Sequence, residues 1–270
     1  MLKFSANLTF MYRELPLVER FAAARQDGFS AVEIISPENV SIPDLANAAT
    51  DAGIDIILCN APVGDFLEGG PGLSAVPGRE AQFRKGIDMV RQVAEMLSCP
   101  SVNIGPSRIA EGSDKTECLD VLARNLAYAA DMLAEANIQA LIEPLNTYDI
   151  PNTCLSRVED ALTVLNEAGQ VNAGLQFDIY HMAQMESDFM TLLEDHIGRI
   201  GHIQFADVPG RSEPGSGELN FGAIIELINR LDYRGFIGAE YKPLHTTSES
   251  LDWLRKYREI DSQVATRRSC

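Results

Sequence analysis

The sequence predicts a single (β/α)8 barrel, or TIM barrel, and three observations lead to that prediction. Short apolar runs alternate with amphipathic helical patterns eight times along the chain, which is the order expected of a parallel sheet. The 270 residues show no break in composition and no linker, and this length suits eight such units in one closed barrel. An open doubly wound sheet is disfavoured, because no G-x-G-x-x-G motif follows the first strand. We expect the barrel in residues 1–260 and a disordered tail in residues 261–270.

The predicted strands are short apolar runs rich in β-branched residues and bounded by turn residues. They cover residues 2–6, 31–35, 55–59, 101–104, 139–143, 173–178, 199–205 and 235–240. A long loop, residues 60–78, follows the third strand. A loop of this length in a compact domain is typical of a lid or a binding segment.

The predicted helices are marked by apolar residues three or four positions apart and by residues that favour helix ends. We expect them near residues 15–26, 41–53, 79–97, 114–133, 156–169, 188–196, 221–231 and 249–260. Ser41 with Asp44, and Ser156 with Glu159, have the spacing of a capping box at a helix start.

Composition limits the partners of the protein. Acidic residues outnumber basic ones 39 to 22, and a net charge of −17 repels nucleic acid and anionic membranes. The sequence contains no apolar run of about 18 residues, so no transmembrane helix is expected. Five cysteines without C-x-x-C spacing, and no evident signal peptide, indicate reduced thiols and a cytoplasmic protein. A homo-oligomer is left open.

Polar side chains stand at the carboxyl ends of most predicted strands, directly after apolar runs. These ends open on one face of a parallel barrel, the face that carries the active site in barrel enzymes. The residues are Asn7, Asn60, Asn103, Glu143, Asp178, Gln204 and Glu240. The last four end consecutive strands, so we expect them along one arc of the mouth.

Three carboxylates at close quarters raise one another's pKa, and a bound cation would relieve their repulsion. Oxygen ligands select Mg²⁺ or Mn²⁺ over zinc, whose sites favour His and Cys. We therefore predict a metal site made by Glu143, Asp178, Glu240 and the amide oxygen of Gln204. The alternative, exposed carboxylates that cap helices or form salt bridges, suits any one of these residues better than all four together.

A second polar layer is predicted below these residues. Gln176 lies two residues before Asp178, and His202 lies two residues before Gln204, so each should point into the barrel. They would either orient the metal ligands or simply fill a layer of the barrel.

Several blocks of the sequence resemble the hydroxypyruvate isomerase family of xylose-isomerase-like barrels. The resemblance covers residues 1–258, and its blocks are FSANL (4–8), PGRE (77–80), IEPLNTYDIP (142–151), QFDIYHMAQME (176–186), the stretch 201–220 and AEYKP (239–243). It implies that Glu143 and Glu240 are the acid and base, and that they share a metal with Asp178 and Gln204. The implied reaction interconverts hydroxypyruvate and tartronate semialdehyde (2-hydroxy-3-oxopropanoate) through a metal-stabilised enediolate.

The substrate implied by this resemblance is a small anionic hydroxy-oxo acid. His181 resembles the residue that contacts a substrate hydroxyl in related ketose epimerases. Arg211 is the leading candidate for the substrate carboxylate, because its planar fork can bind two oxygens, and Lys242 is a second candidate. Asn7 and Asn60 complete the predicted substrate contacts.

Other functions remain in competition. Residues 103–112 depart from the family pattern, so a 2-oxo-tetronate, one carbon longer, is an alternative substrate. A ketose 3-epimerase is disfavoured, because those enzymes carry His where this chain has Gln204. A DNA-repair barrel would need a His-rich zinc cluster, and this acidic chain has four histidines. Retention of both glutamates disfavours a non-catalytic binding protein.

Overall fold

Eight parallel strands pair in chain order, and β8 pairs with β1 to close the predicted barrel. The computed structural model describes residues 2–35, 37 and 39–258. The strands are β1 (Lys3–Asn7), β2 (Ala31–Ile34), β3 (Asp55–Asn60), β4 (Ser101–Asn103), β5 (Gln139–Ile142), β6 (Ala173–Asp178), β7 (Ile200–Phe205) and β8 (Phe236–Ala239). The predicted tail, residues 261–270, lies outside the described residues.

Helices follow the strands and surround the barrel. They are α1 (Leu17–Gln26), α2 (Ile42–Ala52), α3 (Glu80–Met96), α4 (Lys115–Ala134), α5 (Val158–Ala168), α6 (Ile179–Met185), α7 (Phe189–Asp195) and α8 (Phe221–Arg230). Short 3-10 turns lie at Phe66–Glu68, Ile197–Arg199 and Ser248–Leu251. The last predicted helix is observed at residues 252–258, and its predicted end at residue 260 lies outside the described residues.

Helix starts test the capping predictions. Ser41 accepts a hydrogen bond from the backbone N–H of Asp44, as its capping box predicts. The box at Ser156 is wrong: α5 begins one residue later than such a cap requires, and its N-cap residue, Arg157, makes no capping bond through its side chain. The N–H of Val158 instead donates to the Glu186 carboxylate at 3.0 Å, so a residue from a neighbouring loop satisfies this end.

Helix α6 is missing from the sequence prediction. It begins immediately after β6, because the Asp178 side chain accepts the backbone N–H of Tyr180 at 2.9 Å and caps the helix. The strand therefore passes into a helix without a loop, and the residues that follow Asp178 stay at the barrel mouth.

The core lies between the barrel wall and the helices. Along β6, Leu175 and Phe177 face outward into this apolar layer, while Gln176 and Asp178 alternate with them and point into the barrel. Full burial of each large apolar side chain stabilises the fold by about 1.5–3 kcal/mol. None of the helices in the described part of the chain is long and apolar enough to cross a membrane.

The long loop after β3 is fastened to its neighbours. Arg79 donates to both carboxylate oxygens of Asp65 at 2.9 Å. Arg108, from the loop after β4, donates to the carbonyls of Phe66 and Gly70 at 2.8 Å and lies over the Phe66 ring. These contacts tie two mouth loops into one wall.

Candidate active site

Three carboxylates meet at the barrel mouth, and we call Glu143, Asp178 and Glu240 the carboxylate ring. Asp178 is the last residue of β6, and the two glutamates immediately follow β5 and β8. Asp178 and Glu240 are buried, and Glu143 is half-buried. Carboxylate oxygens of Glu143 and Asp178 lie within 4.8 Å of each other and of a His181 ring nitrogen. The strand-end pattern thus correctly predicted that these side chains share one face.

Burial raises the pKa of every carboxyl group in the ring. Burial, together with the neighbouring charge of Asp178, raises the pKa of Glu143 to about 8. Burial raises the pKa of Asp178 to about 6, although Arg211 opposes this shift. Burial also raises the pKa of Glu240 well above its usual range, again against the effect of Arg211. Additional positive charge would therefore stabilise the ionised ring.

Arg211 provides the positive charge that the ring faces in this structure. Its Nη2 donates to Glu240 Oε1 at 2.6 Å and lies 3.5 Å from Asp178 Oδ2. The guanidinium also lies over the rings of Phe10 and Tyr180, 4.6 and 4.8 Å from their centroids. Its Nε is buried and has no hydrogen-bond partner within the described residues. The residue predicted to bind the substrate carboxylate thus points at the ring itself.

The loop that carries Arg211 is built around Asp207. The Asp207 carboxylate accepts four backbone N–H groups at 2.8–3.0 Å, those of Val208, Gly215, Gly217 and Leu219. At position 217 a Cβ atom would lie 2.0 Å from the Val208 carbonyl oxygen, so only glycine fits this turn. One buried carboxylate therefore sets the path of the loop.

The backbone of Arg211 is fixed on both sides. Its N–H donates to the Asp207 carbonyl at 2.9 Å, and its carbonyl accepts the N–H of Lys242 at 2.8 Å. It adopts a left-handed conformation, with φ of 54°. The Lys242 side chain is exposed, and its role as the second candidate for the substrate anion stays a prediction.

His181 is held beside the ring with a defined tautomer. Its Nδ1 accepts the backbone N–H of Asn146 at 3.1 Å, and a backbone N–H can only donate. Burial, reinforced by the charge of Arg211, lowers the pKa of His181 well below its usual value, so the imidazole is neutral. Its proton then sits on Nε2, which lies 3.5 Å from Asp178 Oδ2. His181 therefore offers an N–H donor at the barrel mouth, where a substrate contact is predicted.

Below the ring runs a chain of side-chain amides, Asn103, Gln176 and Gln204, which we call the amide belt. The backbone N–H of Gly105 donates to Asn103 Oδ1 at 2.8 Å, which fixes the orientation of that amide. Asn103 Nδ2 then donates to Glu143 Oε2 at 2.9 Å and to Gln176 Oε1 at 3.0 Å. One end of the belt thus holds a carboxylate of the ring.

The orientation passes along the belt to Gln204. Gln176 Nε2 donates to Gln204 Oε1 at 2.5 Å, so Gln204 turns its NH₂ group away from Gln176. That NH₂ group donates to Glu33 Oε2 at 2.7 Å and to Glu240. The belt therefore connects Glu143 to Glu240 by hydrogen bonds. Gln176 points into the barrel as predicted, and of the two roles left open for it the bond to Gln204 supports the orienting one. His202 contacts Glu33 rather than Gln204.

Sequence reasoning missed Glu33, a buried carboxylate within β2. It accepts hydrogen bonds from Ser5 at 2.6 Å, His202 at 2.8 Å and Gln204 at 2.7 Å. Burial alone would raise its pKa, but His202 and these hydrogen bonds lower the pKa of Glu33 below its usual value. A Cβ at Gly238 would lie 2.0 Å from Glu33 Oε1, so that glycine makes room for the carboxylate. A charged residue inside the apolar run AVEII was the available signal.

Two asparagines were also predicted at the site. Asn7 joins the ring, because its Nδ2 donates to Glu240 Oε2 at 3.1 Å while its Oδ1 accepts the N–H of Thr9. Asn60 ends β3 and is half-buried, next to Asn103 in the register of β3 and β4. Contact of these two side chains with a substrate stays a prediction.

The site contains a group of side chains that could hold a metal ion. The potential ligand atoms of Glu143, Asp178 and His181 lie within 4.8 Å of one another. Of these the two carboxylates have lone pairs to offer, because His181 Nδ1 accepts a hydrogen bond and Nε2 carries the proton. Carboxylate and amide oxygens are the ligands that Mg²⁺ and Mn²⁺ prefer. Gln204 Oε1 has a second lone pair besides the one that accepts its hydrogen bond, so it can still serve as a ligand. The assignments of Gln204 and Glu240 as metal ligands stay predictions.

Comparison with known proteins identifies relatives that span nearly the whole chain. A family model described as the xylose isomerase-like TIM barrel matches residues 21–257. The hydroxypyruvate isomerase of Escherichia coli (strain K12) is 37% identical over 258 residues, which are 96% of this chain and 100% of that protein. The 2-oxo-tetronate isomerase of Cupriavidus necator is 40% identical over 255 residues, covering 94% and 98% of the two chains.

A similar solved structure carries a different name. The crystal structure of AP endonuclease, family 2 from Brucella melitensis matches with a TM-score of 0.91 and 35% sequence identity. The match covers 95% of this chain and 99% of that chain. Fold and length are thus shared among proteins whose names give three different activities.

Proposed function

The chain belongs to the xylose isomerase-like TIM barrel family, and we propose that it is an isomerase that interconverts hydroxypyruvate and tartronate semialdehyde. The observation that carries the proposal is the pair Glu143 and Glu240 at the barrel mouth. The amide belt connects their carboxylates, because Asn103 donates to Glu143 and Gln204 donates to Glu240. The relatives named as isomerases support this reaction class.

The reaction requires proton transfer between adjacent carbons. One of the two glutamates, Glu143 or Glu240, removes a proton from C3 of hydroxypyruvate, and the other delivers a proton to C2. The hydroxyl proton passes from the C3 oxygen to the C2 oxygen, so that the ketone becomes an alcohol and the alcohol becomes an aldehyde. Each positioned acid or base accelerates such a step by about 10²–10⁴-fold.

We propose Mg²⁺ or Mn²⁺ as the cofactor, held by Glu143, Asp178, Gln204 and Glu240. Such a cation would act as a Lewis acid that polarises the substrate carbonyl and favours the enediolate. The oxygen-rich donor set and the raised pKa values in the ring support this assignment.

Two further side chains would position the substrate. His181 Nε2–H is a neutral donor beside the ring, suited to a substrate oxygen that gains negative charge. Arg211 has a buried Nε that finds no hydrogen-bond partner in residues 2–35, 37 and 39–258, and its guanidinium would bind the substrate carboxylate once that fork is free.

A four-carbon 2-oxo-tetronate is the second candidate substrate. It is favoured by the Cupriavidus necator relative, which is 40% identical to this chain. Ketose epimerisation is disfavoured by Gln204 in place of histidine. DNA cleavage is disfavoured by the net charge of −17, and His181 is the only histidine in the ligand group found among the described residues.

The test is a substrate panel of hydroxypyruvate, 2-oxo-tetronates and free ketoses. Each is assayed with Mg²⁺ or Mn²⁺ and after chelation, with product followed by NMR. We expect turnover of hydroxypyruvate that chelator abolishes and added cation restores. Turnover of the ketoses alone would refute the proposal, and turnover of the tetronates alone would replace its substrate.

A further inference from the structure

The carboxylate ring already contains one cation, the guanidinium of Arg211. Its Nη2 contacts Glu240 at 2.6 Å and approaches Asp178 to 3.5 Å, so it stands between two of the carboxylates predicted to hold a metal. A divalent cation bound to the same oxygens would face this guanidinium at close range inside a buried site. Two cations repel strongly there, because the low dielectric screens them poorly.

The guanidinium is bound only in part. Its Nε has no hydrogen-bond partner among the described residues, although it is buried. A planar guanidinium is best satisfied by a carboxylate or phosphate that takes two of its N–H groups together, and the ring gives it no such pairing. Arg211 thus makes a strong contact with Glu240 and leaves another donor unused.

When a cation enters the ring, Arg211 can move its side chain but not its backbone. The backbone is held by hydrogen bonds to the Asp207 carbonyl and from the Lys242 N–H, and the Asp207 carboxylate fixes the loop around it. The flanking rings of Phe10 and Tyr180 offer flat surfaces along which a guanidinium can turn.

We propose that Arg211 is an exchangeable counter-ion: it neutralises the carboxylate ring in the metal-free protein and leaves the ring when a divalent cation binds. The exchange presents the freed guanidinium to the carboxylate of the substrate, a consequence that rests on the proposed function. It also sets an order of binding, because the divalent cation must bind before Arg211 becomes available to the substrate carboxylate.

The first test measures Mn²⁺ binding by calorimetry and by electron paramagnetic resonance, without substrate, at pH 8.5. Arg211→Met removes the competing cation, and we expect it to bind Mn²⁺ at least tenfold more tightly than the wild type. Arg211→Lys keeps a positive charge and should stay nearer the wild type. Arg234→Met, which removes the same charge from an exposed position, should change the affinity less than twofold. Equal or weaker binding by Arg211→Met would overturn the exchange, as would a failure of both proteins to bind Mn²⁺.

The second test uses the wild-type protein, so it decides even if Arg211→Met does not fold. Phenylglyoxal modifies accessible guanidinium groups, and mass spectrometry locates the modified residues. We expect Mg²⁺ to accelerate modification of Arg211 several-fold and to leave Arg108, which is bound to two carbonyls, unchanged. An unchanged or slower rate at Arg211 would overturn the exchange. Neither test involves isomerase turnover, so an active enzyme with a stationary arginine would lose this inference and keep its proposed function.

Discussion

The amide belt and the carboxylate ring lie one above the other in the same barrel, yet they satisfy their polar groups differently. In the belt each amide is oriented by its neighbour, starting from the Gly105 N–H and ending at Glu33. In the ring the carboxyl groups have raised pKa values, and Arg211 beside them has a buried Nε with no partner in the part of the chain that the structure describes. Buried polar groups normally find partners, so the exceptions require an explanation.

The contrast distinguishes a layer that supports the fold, the amide belt, from a layer that is suited to chemistry, the carboxylate ring. A fully hydrogen-bonded layer stabilises a defined geometry. Carboxylates that repel one another bind a ligand of opposite charge more tightly, because the ligand relieves their repulsion. Glu143 and Glu240 belong to both layers, since the belt binds Oε2 of each carboxylate, while Oε1 of Glu240 contacts Arg211 in the ring. The predictions below act on one layer at a time, from the largest expected effect to the smallest.

Loss of a ring carboxylate should damage the reaction most. Glu240→Gln keeps the size of the side chain but removes an acid/base group, and we expect kcat to fall by about 10²–10⁴-fold. Incorporation of solvent deuterium into the substrate, followed by NMR, should stop. The control Glu194→Gln, at an exposed position, should behave as the wild type. Deuterium incorporation at the wild-type rate in Glu240→Gln would remove this residue from the acid/base pair.

Interruption of the belt should reduce stability. Gln176→Leu leaves Asn103 Nδ2 without one of its acceptors and Gln204 Oε1 without its donor, and each orphaned group costs about 1–3 kcal/mol. The free energy of unfolding from urea titration gives the total. Gln26→Leu, the same substitution on the exposed end of α1, serves as the control. A loss no larger than that of the control would show that the belt does not support the fold.

The ring should make the stability of the metal-free protein fall as pH rises. The pKa of Glu143 is about 8 in the folded protein, against an ordinary 4.5, so the folded state binds its proton more tightly. This stabilisation is complete below pH 4.5 and is lost as pH rises through about 8. The raised pKa of Asp178, about 6, adds a change of the same sign at lower pH.

Urea titrations between pH 5 and 9 measure this effect. One group contributes at most about 1.4 kcal/mol per pH unit. Glu143→Gln should flatten the slope above pH 6, and saturating Mg²⁺ should also flatten it, because a bound cation replaces the proton. A slope that persists unchanged in Glu143→Gln would assign the titration to another group.

The smallest effect is expected at the edge of the lower layer. Ser5→Ala removes one hydrogen bond to Glu33 Oε1, while that oxygen keeps the one from His202. We expect a loss near the lower end for bonds to charged groups, about 1.5 kcal/mol, with little change in KM. Ser187→Ala, at an exposed position, is the matched control. A large change in KM would contradict the division into two layers, because Ser5 contacts Glu33 rather than a carboxylate of the ring.

The parts of the molecule that sequence predicted are those that depend on periodicity. Strand alternation placed Asp178 and Gln204 at one face, and period two placed Gln176 beneath them. Strand ends were predictable because the apolar runs stop there, and a parallel barrel brings all these ends together. The family blocks added the isomerase class, which the comparisons support, and the assignment of the glutamates as acid and base, which stays a prediction.

The parts that sequence did not predict depend on contacts between distant positions. Glu33 fits inside the barrel because Gly238, 205 residues further along the chain, has no side chain, and no local pattern shows that match. The start of α5 depends on Glu186 rather than on its own Ser156. The direction of Arg211 follows from a left-handed backbone held by Asp207 and Lys242, which composition cannot reveal.

The Asp207 carboxylate also bears on how such a barrel can change its substrate. It holds the loop through backbone N–H groups, which every residue except proline carries, so the path of the loop does not depend on most of the side chains along it. Gly217 is the exception, because no Cβ fits there. An exposed residue such as Glu218, whose backbone N–H donates to the Val208 carbonyl, can therefore be exchanged while the arginine stays in place. Substitutions in such a loop can change the substrate preference during evolution while the catalytic residues keep their positions.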